Sequence, residues 1–238
     1  MIAIIGAMQE EVDALKSLME VIKEEKTLEF NFYIGTIGQN EVILMQSGIG
    51  KVNAALSTTL LLKSYSIEFI INIGSAGGLK QTQKQGDLMI STSVIHHDVE
   101  ATGFGYQIGQ IPGMPLDYPS NELLLKQTTK IIEELKFKSQ IGLIVSGDQF
   151  IAKKEQFENI INNFPEALCV DMEAASIAQV AYQFKIPYII IRSLSDVYNS
   201  GNQHLQFNEY IKLASRNSAL LCSKLVNSLI FGGYEVEI

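Results

Sequence analysis

The sequence has no tryptophan, only two cysteines and five prolines among 238 residues, and fewer basic than acidic side chains, 18 against 26. Cys169 and Cys222 lack CxxC spacing, which excludes a disulfide framework and a thiolate metal site and leaves both as packing residues. A net charge of -8 lacks the clustered Lys and Arg that neutralise phosphates, so no nucleic-acid partner is expected and a small ligand is. No apolar run approaches the roughly 20 residues that span a membrane, and Met1 to Ile5 carries no basic flank of a secretory signal. The expectation is a cytoplasmic protein with no membrane partner. Linkers rich in Pro or Ser, charge blocks and repeats are also missing, so residues 1–238 read as one domain.

What the sequence does have is a series of apolar runs that end in polar residues. Ile186-Pro187-Tyr188-Ile189-Ile190-Ile191 runs without in-out alternation into Arg192-Ser193-Leu194-Ser195-Asp196, the pattern of a strand covered on both faces in an α/β sheet. Ligands of such sheets bind beyond the carboxyl ends of the strands, where Asp196 stands. Emerging from an apolar core, its carboxyl is expected to favour the neutral form and serve as an acid. A helix cap, or a partner for Arg192, is the plainer reading. Ile2-Ala3-Ile4-Ile5-Gly6 predicts another buried strand, followed by a helix from about Glu10 with Val12, Leu15, Leu18, Met19 and Ile22 on one face. Glu11 then either faces a cleft or favours a helix N-terminus electrostatically.

Residues 30–37 and 41–46 predict a hairpin around Gly38-Gln39-Asn40, and a helix follows from Lys51 to near Tyr65. Met45 and Val52 stand where a phosphate loop needs Gly and Ser/Thr, which excludes that motif. A strand over 69–73 leads into Gly74-Ser75-Ala76-Gly77-Gly78, read as a connection where glycine lets backbone approach a ligand. It lacks GxGxxG opening a helix, so no nicotinamide cofactor is expected. His96-His97-Asp98, after a strand over 87–95, has no third ligand at diagnostic spacing, and no metal is expected. Residues 103–119 form a long loop with Phe104, Tyr106 and Tyr118 and no period, a length that usually serves function.

Helices over 122–135 and 153–163 alternate with strands over 142–145 and 167–170. The first of these strands ends in Ser146-Gly147-Asp148-Gln149-Phe150-Ile151, where Phe150 could stack on a flat ligand. The second leads into Asp171-Met172-Glu173 at a helix start, whose dipole is expected to keep Glu173 ionised. Two acceptor oxygens on one carboxylate suit a vicinal diol, and bare electrostatics at the helix start is the alternative. Residues 197–207 read as a polar loop and 209–229 as a closing helix. Carboxylates thus gather at three strand ends, Glu11, Glu173 and Asp196, a set suited to acid and base work on a glycosidic bond.

Five motifs occur in one order: Ile5-Gly6-Ala7-Met8-Gln9-Glu10-Glu11-Val12, Ile73-Gly74-Ser75-Ala76-Gly77, Val145-Ser146-Gly147-Asp148-Gln149-Phe150, Val170-Asp171-Met172-Glu173-Ala174 and Arg192-Ser193-Leu194-Ser195-Asp196. Together, across essentially the whole chain, they resemble the 5′-methylthioadenosine/S-adenosylhomocysteine nucleosidase family of nucleoside phosphorylase-like proteins. The resemblance implies a single-domain, three-layer α/β fold with a central mixed β-sheet flanked by helices, and a homodimer. It implies hydrolysis of the N-glycosidic bond of 5′-methylthioadenosine and S-adenosylhomocysteine, with 5′-deoxyadenosine beside them, and no metal or organic cofactor.

By the same resemblance, Asp196 protonates adenine N7, Glu11 positions or activates water, and Glu173 holds the ribose hydroxyls with Met172 along the sugar. Phe150 stacks on adenine, and the Ile151 backbone reads the adenine edge. Ser75, Arg192 and Ser195 support the carboxylates. Met8, Ile49 and Phe207 line the cleft toward the 5′-alkylthio group, and Phe104 and Tyr106 reach across from a second copy. A nucleoside phosphorylase and a non-catalytic nucleoside binder are the alternatives. Against phosphorolysis, the turn from Gly6 to Glu11 carries no Lys or Arg. Like charges about 4 Å apart repel by about 4 kcal/mol at an effective dielectric of about 20, so an ionised Glu11 disfavours phosphate yet can orient water. Arg192 is expected to be engaged by carboxylates, and Lys51 to open an exposed helix.

Overall fold

The computed structural model describes residues 1–198 and 203–229. The chain opens with β1 (Ile2–Gly6) and a short helix α1 (Gln9–Lys16), then an antiparallel meander of β2 (Glu20–Thr27), β3 (Phe30–Ile37) and β4 (Asn40–Gln46). Helix α2 (Lys51–Ser64) leads to β5 (Phe69–Gly78) and β6 (Leu88–His96). One 3-10 turn at Thr102–Phe104 and the two-residue strand β7 (Tyr118–Pro119) interrupt the long loop. Then come α3 (Glu122–Leu135), β8 (Ser139–Ser146), α4 (Lys154–Asn163), β9 (Cys169–Asp171), α5 (Ala174–Phe184), β10 (Tyr188–Val197) and α6 (Gln203–Ser228).

One mixed sheet joins these strands. From β5 it runs through β1, β4 and β3 to an edge at β2; in the other direction β5, β10, β6, β8 and β9 close on themselves, because β10 pairs with both β5 and β6 and β9 with both β8 and β5. Period-2 alternation accounts for the unbroken apolar runs. Ile2, Ile4, Ile71, Ile73, Ile189 and Ile191 enter one core with Val12 and Leu15 of α1, Ile131 of α3 and Leu221 and Leu225 of α6. Ala3, Ile5, Ile70, Tyr188 and Ile190 enter the opposite core with Ala54 and Leu61 of α2 and Ala175 and Ala178 of α5. Both faces of the central strands are therefore dry, which gives three layers and favours β-branched residues along these strands. Each fully buried isoleucine stabilises the fold by about 1.5–3 kcal/mol relative to exposure.

Three sequence expectations change. Helix α1 stops at Lys16 instead of running on to Ile22, which lies 71% exposed on the edge strand β2. The spacing of Leu18, Met19 and Ile22 imitates a helix face, but pairing with β3 decides the backbone there. Strand β5 continues through its glycines to Gly78, because the ends of β10 and β9 pair with that stretch. Helix α6 starts at Gln203, not at residue 209, and the Gln206 side chain accepts a 3.3 Å hydrogen bond from the Val197 N–H. Residues 199–202 of the expected loop lie outside the described residues.

Candidate active site

Strands β1, β5 and β10 lie side by side and parallel, so the turn after β1, the glycine end of β5 and the polar end of β10 share one end of the sheet. Glu11, in the first turn of α1, folds its side chain back over that turn. Its Oε2 accepts from the Ala7 N–H at 2.7 Å and the Met8 N–H at 3.1 Å. Its Oε1 accepts from the Ser75 N–H at 2.9 Å and Ser75 Oγ at 3.2 Å. Only glycine fits comfortably beneath it: a Cβ on Gly74 would stand 3.1 Å from Glu11 Oε1. The glycines of β5 thus make room for the protein's own carboxylates.

Asp196 owes its position to an irregularity. Leu194 pairs with Ala76 and Asp196 with the next residue, Gly77, so Ser195 is an extra residue on β10. Such a bulge re-aims the side chains beside it. Ser195 Oγ donates to Asp196 Oδ1 at 2.8 Å, and a Cβ on Gly77 would lie 3.2 Å from Oδ2. The carboxyl is 4% exposed. Burial pushes its pKa up to about 6, against the pull of the Ser195 hydrogen bond.

Glu173 immediately precedes α5 and accepts at Oε1 from the Gly50 N–H at 2.8 Å. Burial, and next the neighbouring Asp171 carboxylate, push its pKa up to about 8, while the Gly50 N–H pulls the other way. The helix start does not keep it ionised as expected. A dipole contributes about 0.3–1 kcal/mol, which the loss of water around a buried carboxylate exceeds. Arg192, 1% exposed, does not line the cavity as expected for a substrate-binding residue. It lies behind the wall, where its Nε donates to Asp171 Oδ2 at 2.7 Å and its Nη2 to Asn72 Oδ1 at 2.6 Å. Asp171 also accepts from Ser146 Oγ and the Ala174 N–H.

These groups surround a cavity of about 310 Å³, enough for a small organic ligand. Glu11, Glu173 and Asp196 share it with Met8, Ile49, Ser75, Phe150, Ile151, Met172, Ser195 and Phe207. Phe150 meets Phe207 edge to face with ring centroids 5.9 Å apart. Phe104 and Tyr106 are absent from this wall, and Phe104 is 86% exposed. Sequence reasoning missed Leu79, Gln149, Asp171, Tyr198, His204 and Asn208, all of which line the cavity. Tyr198 stacks flat on Phe157, with ring planes 11° apart. His204 and Asn208 lie on the first turns of α6 near Phe207, His204 within residues 197–207 that read as loop and Asn208 between that loop and the helix over 209–229. Among the described lining residues there is no Lys or Arg. Lys51 opens α2 as expected, beside Val52, which is 76% exposed, but its ammonium pairs with Asp98 at 2.6 Å.

The family model of the phosphorylase superfamily matches residues 1–230. A 5′-methylthioadenosine/S-adenosylhomocysteine nucleosidase of Staphylococcus epidermidis is 47% identical over 229 residues, which cover 96% of this chain and 100% of that one. The chain belongs to this nucleosidase family within the phosphorylase superfamily. The nucleosidase of Neisseria meningitidis, solved in complex with methylthio-immucillin-A, superposes with a TM-score of 0.92 at 38% identity, covering 96% of this chain and 99% of that one. The Colwellia psychrerythraea nucleosidase, solved with adenine, gives a TM-score of 0.92 at 39% identity, covering 96% and 95%. A nucleosidase breaks an N-glycosidic bond, and the cavity here brings together the Asp196 carboxyl, whose pKa burial raises to about 6, the Glu11 carboxyl held by four donors, and aromatic walls. Among the described residues no helix is long and apolar enough to cross a membrane.

Proposed function

We propose that the protein hydrolyses 5′-methylthioadenosine and S-adenosylhomocysteine, and with them 5′-deoxyadenosine, releasing adenine and the 5′-substituted ribose. The observation that carries this reading is Asp196, a 4% exposed carboxyl on the cavity wall whose pKa is raised to about 6. A protonated Asp196 gives its proton to adenine N7 as the bond from ribose C1′ to N9 breaks and its electron pair passes to the base. Positive charge develops on the sugar. Glu11 orients a water that adds at C1′, and takes up the proton which that water loses. Glu173 engages the ribose hydroxyls with Met172 along the ring, Phe150 stacks on adenine, and the Ile151 backbone reads its edge. Met8, Ile49 and Phe207 accept the 5′ group. Ser75 and Ser195 support Glu11 and Asp196 directly, and Arg192 acts from behind through Asp171.

Hydrolysis is favoured over phosphorolysis because no Lys or Arg is among the described residues lining the cavity, and Arg192 and Lys51 are both engaged by carboxylates. The deciding experiment incubates 5′-methylthioadenosine, S-adenosylhomocysteine and 5′-deoxyadenosine with the enzyme in phosphate-free buffer and then adds phosphate. Free adenine at a rate indifferent to phosphate is expected. A phosphate requirement, with ribose 1-phosphate products, would make it a phosphorylase, and retention of ligand without adenine release would make it a binder. The reading includes a cytoplasmic homodimer in which Phe104 and Tyr106 complete the neighbouring copy's cavity, supported by the exposure of Phe104. Specific activity should then fall on dilution together with the dimer, and a fully active monomer would remove these two residues from the site.

A further inference from the structure

Helix α2 has no side-chain cap of its own and no acidic residue in its first turn. Its start is gripped from two other strands. Asp148, just after β8, accepts at Oδ1 from the Lys51 N–H at 2.7 Å, serving as a cap supplied from a distance. Asp98, just after β6, accepts from Lys51 Nζ at 2.6 Å with Oδ1 and from the Asp148 N–H at 3.0 Å with Oδ2. One carboxylate therefore holds both the cap and the residue being capped. The pair is largely withdrawn from water, with side-chain exposures of 23% for Lys51 and 15% for Asp98. Between these holds sits Gly50, at φ 94°, where a Cβ would come 3.0 Å from Asp148 Oδ1. Its N–H points the other way, to Glu173 Oε1 at 2.8 Å.

We propose that Asp98 and Asp148 are positioning residues that clasp the start of α2, so that the Gly50 N–H occupies one oxygen of Glu173 and the other is presented to the substrate's ribose hydroxyls. The inference rests on the ribose-binding role proposed above for Glu173. Without the clasp, residues 49–51 lose their two anchors, and the Glu173 side chain is free to turn toward Asp171 or the cavity. A small displacement of a positioning group is enough to cost binding of the group it aims at. An ion pair that served stability alone would have no such directed effect.

The probes are 5′-methylthioadenosine and its 2′-deoxy analogue. Asp148→Ala should lower kcat/KM for the ribonucleoside about tenfold to a hundredfold, chiefly through KM, while leaving the residual rate on the deoxy analogue unchanged. Asp148→Asn, whose amide oxygen still accepts from the Lys51 N–H, should restore most of the loss. In a Glu173→Ala background, Asp148→Ala should cost almost nothing further, since the group it positions is gone. Equal losses on both substrates, or losses that add fully to those of Glu173→Ala, would overturn the clasp. Glu173→Ala alone separates the two ideas: if it spares the discrimination between ribose and deoxyribose, the role of Glu173 falls first. Should Asp148→Ala fail to fold, Asp98→Asn keeps the shape while removing the charge that holds Lys51. It should show a smaller loss confined to the ribonucleoside, and a loss shared by both substrates would again count against the clasp.

Discussion

Glu11 and Asp196 sit on one cavity and are almost equally buried, at 2% and 4% exposure, yet their surroundings differ. The turn after β1 aims two backbone N–H groups at Glu11, and Ser75 adds its own N–H and its hydroxyl. At the end of β10, among the described residues, only the Ser195 hydroxyl donates to Asp196, and burial prevails. Burial is nearly the same at both, so what differs between them is the number of donors, and with a single donor burial lets Asp196 hold a proton more readily.

The largest expected effect tests that division of labour. Asp196→Asn should lower turnover by about 10²-fold to 10⁴-fold, the usual reach of general acid catalysis, with the melting temperature unchanged. Glu11→Gln should lose activity and also stability, because an amide NH2 facing existing N–H donors leaves buried donors unpaired at about 1–3 kcal/mol. Near-native turnover of Asp196→Asn, or equal melting of both variants, would dissolve the contrast.

Glu173 extends the comparison to a third carboxyl, with one backbone donor against a neighbouring carboxylate. Glu173→Gln should impair ribonucleosides and barely touch 2′-deoxy analogues, in steady-state assays of both. Equal impairment would argue against contact with the diol.

A pH profile sharpens the contrast further. Because Asp196 must hold its proton, kcat/KM should decline as pH rises through about 6, the value to which burial lifts it. The Ser195 hydrogen bond favours the ionised form, so Ser195→Ala should shift this decline to higher pH. A limb that stays in place would assign it to another group.

The smallest effect is thermodynamic. Glu173 is raised from 4.5 to about 8 in the fold, so between those values the folded chain binds more protons than the unfolded one. Stability from this group is then full below 4.5 and declines as pH rises toward about 8. Glu173→Gln removes that decline, so its melting temperature should gain steadily on the parent's between pH 5 and pH 8. A constant difference across that range would mean that Glu173 ionises freely.

Much of the site was legible because strand ends are marked twice, by the close of an apolar run and by the polar residues after it. Glu11, Phe150, Glu173 and Asp196 were found in that way, and all four line the cavity. Their partners were harder. Asp171 stands two residues before Glu173 with nothing local to tell a structural carboxylate from a ligand-binding one, and only its contact with Arg192, 21 positions away, decides the matter. His204 falls within residues 197–207, which read as loop, and Asn208 falls between that loop and the helix over 209–229, so neither shows the helical face that places it at the cavity.

The order of buried strands, the helices over 51–64 and 122–135 and the three carboxylates at strand ends were set by local sequence, because burial on both faces and helix periodicity leave marks within a few residues. Tertiary structure alone decided that β2 is a strand, that β5 continues through its glycines and that Ser195 bulges to turn Asp196 into the cavity. It also decided the charge states. The protonation of a carboxyl depends on how much water it loses and how many donors meet it; burial comes from the packed fold, and Ser75 reaches Glu11 and Gly50 reaches Glu173 from 64 and 123 positions away.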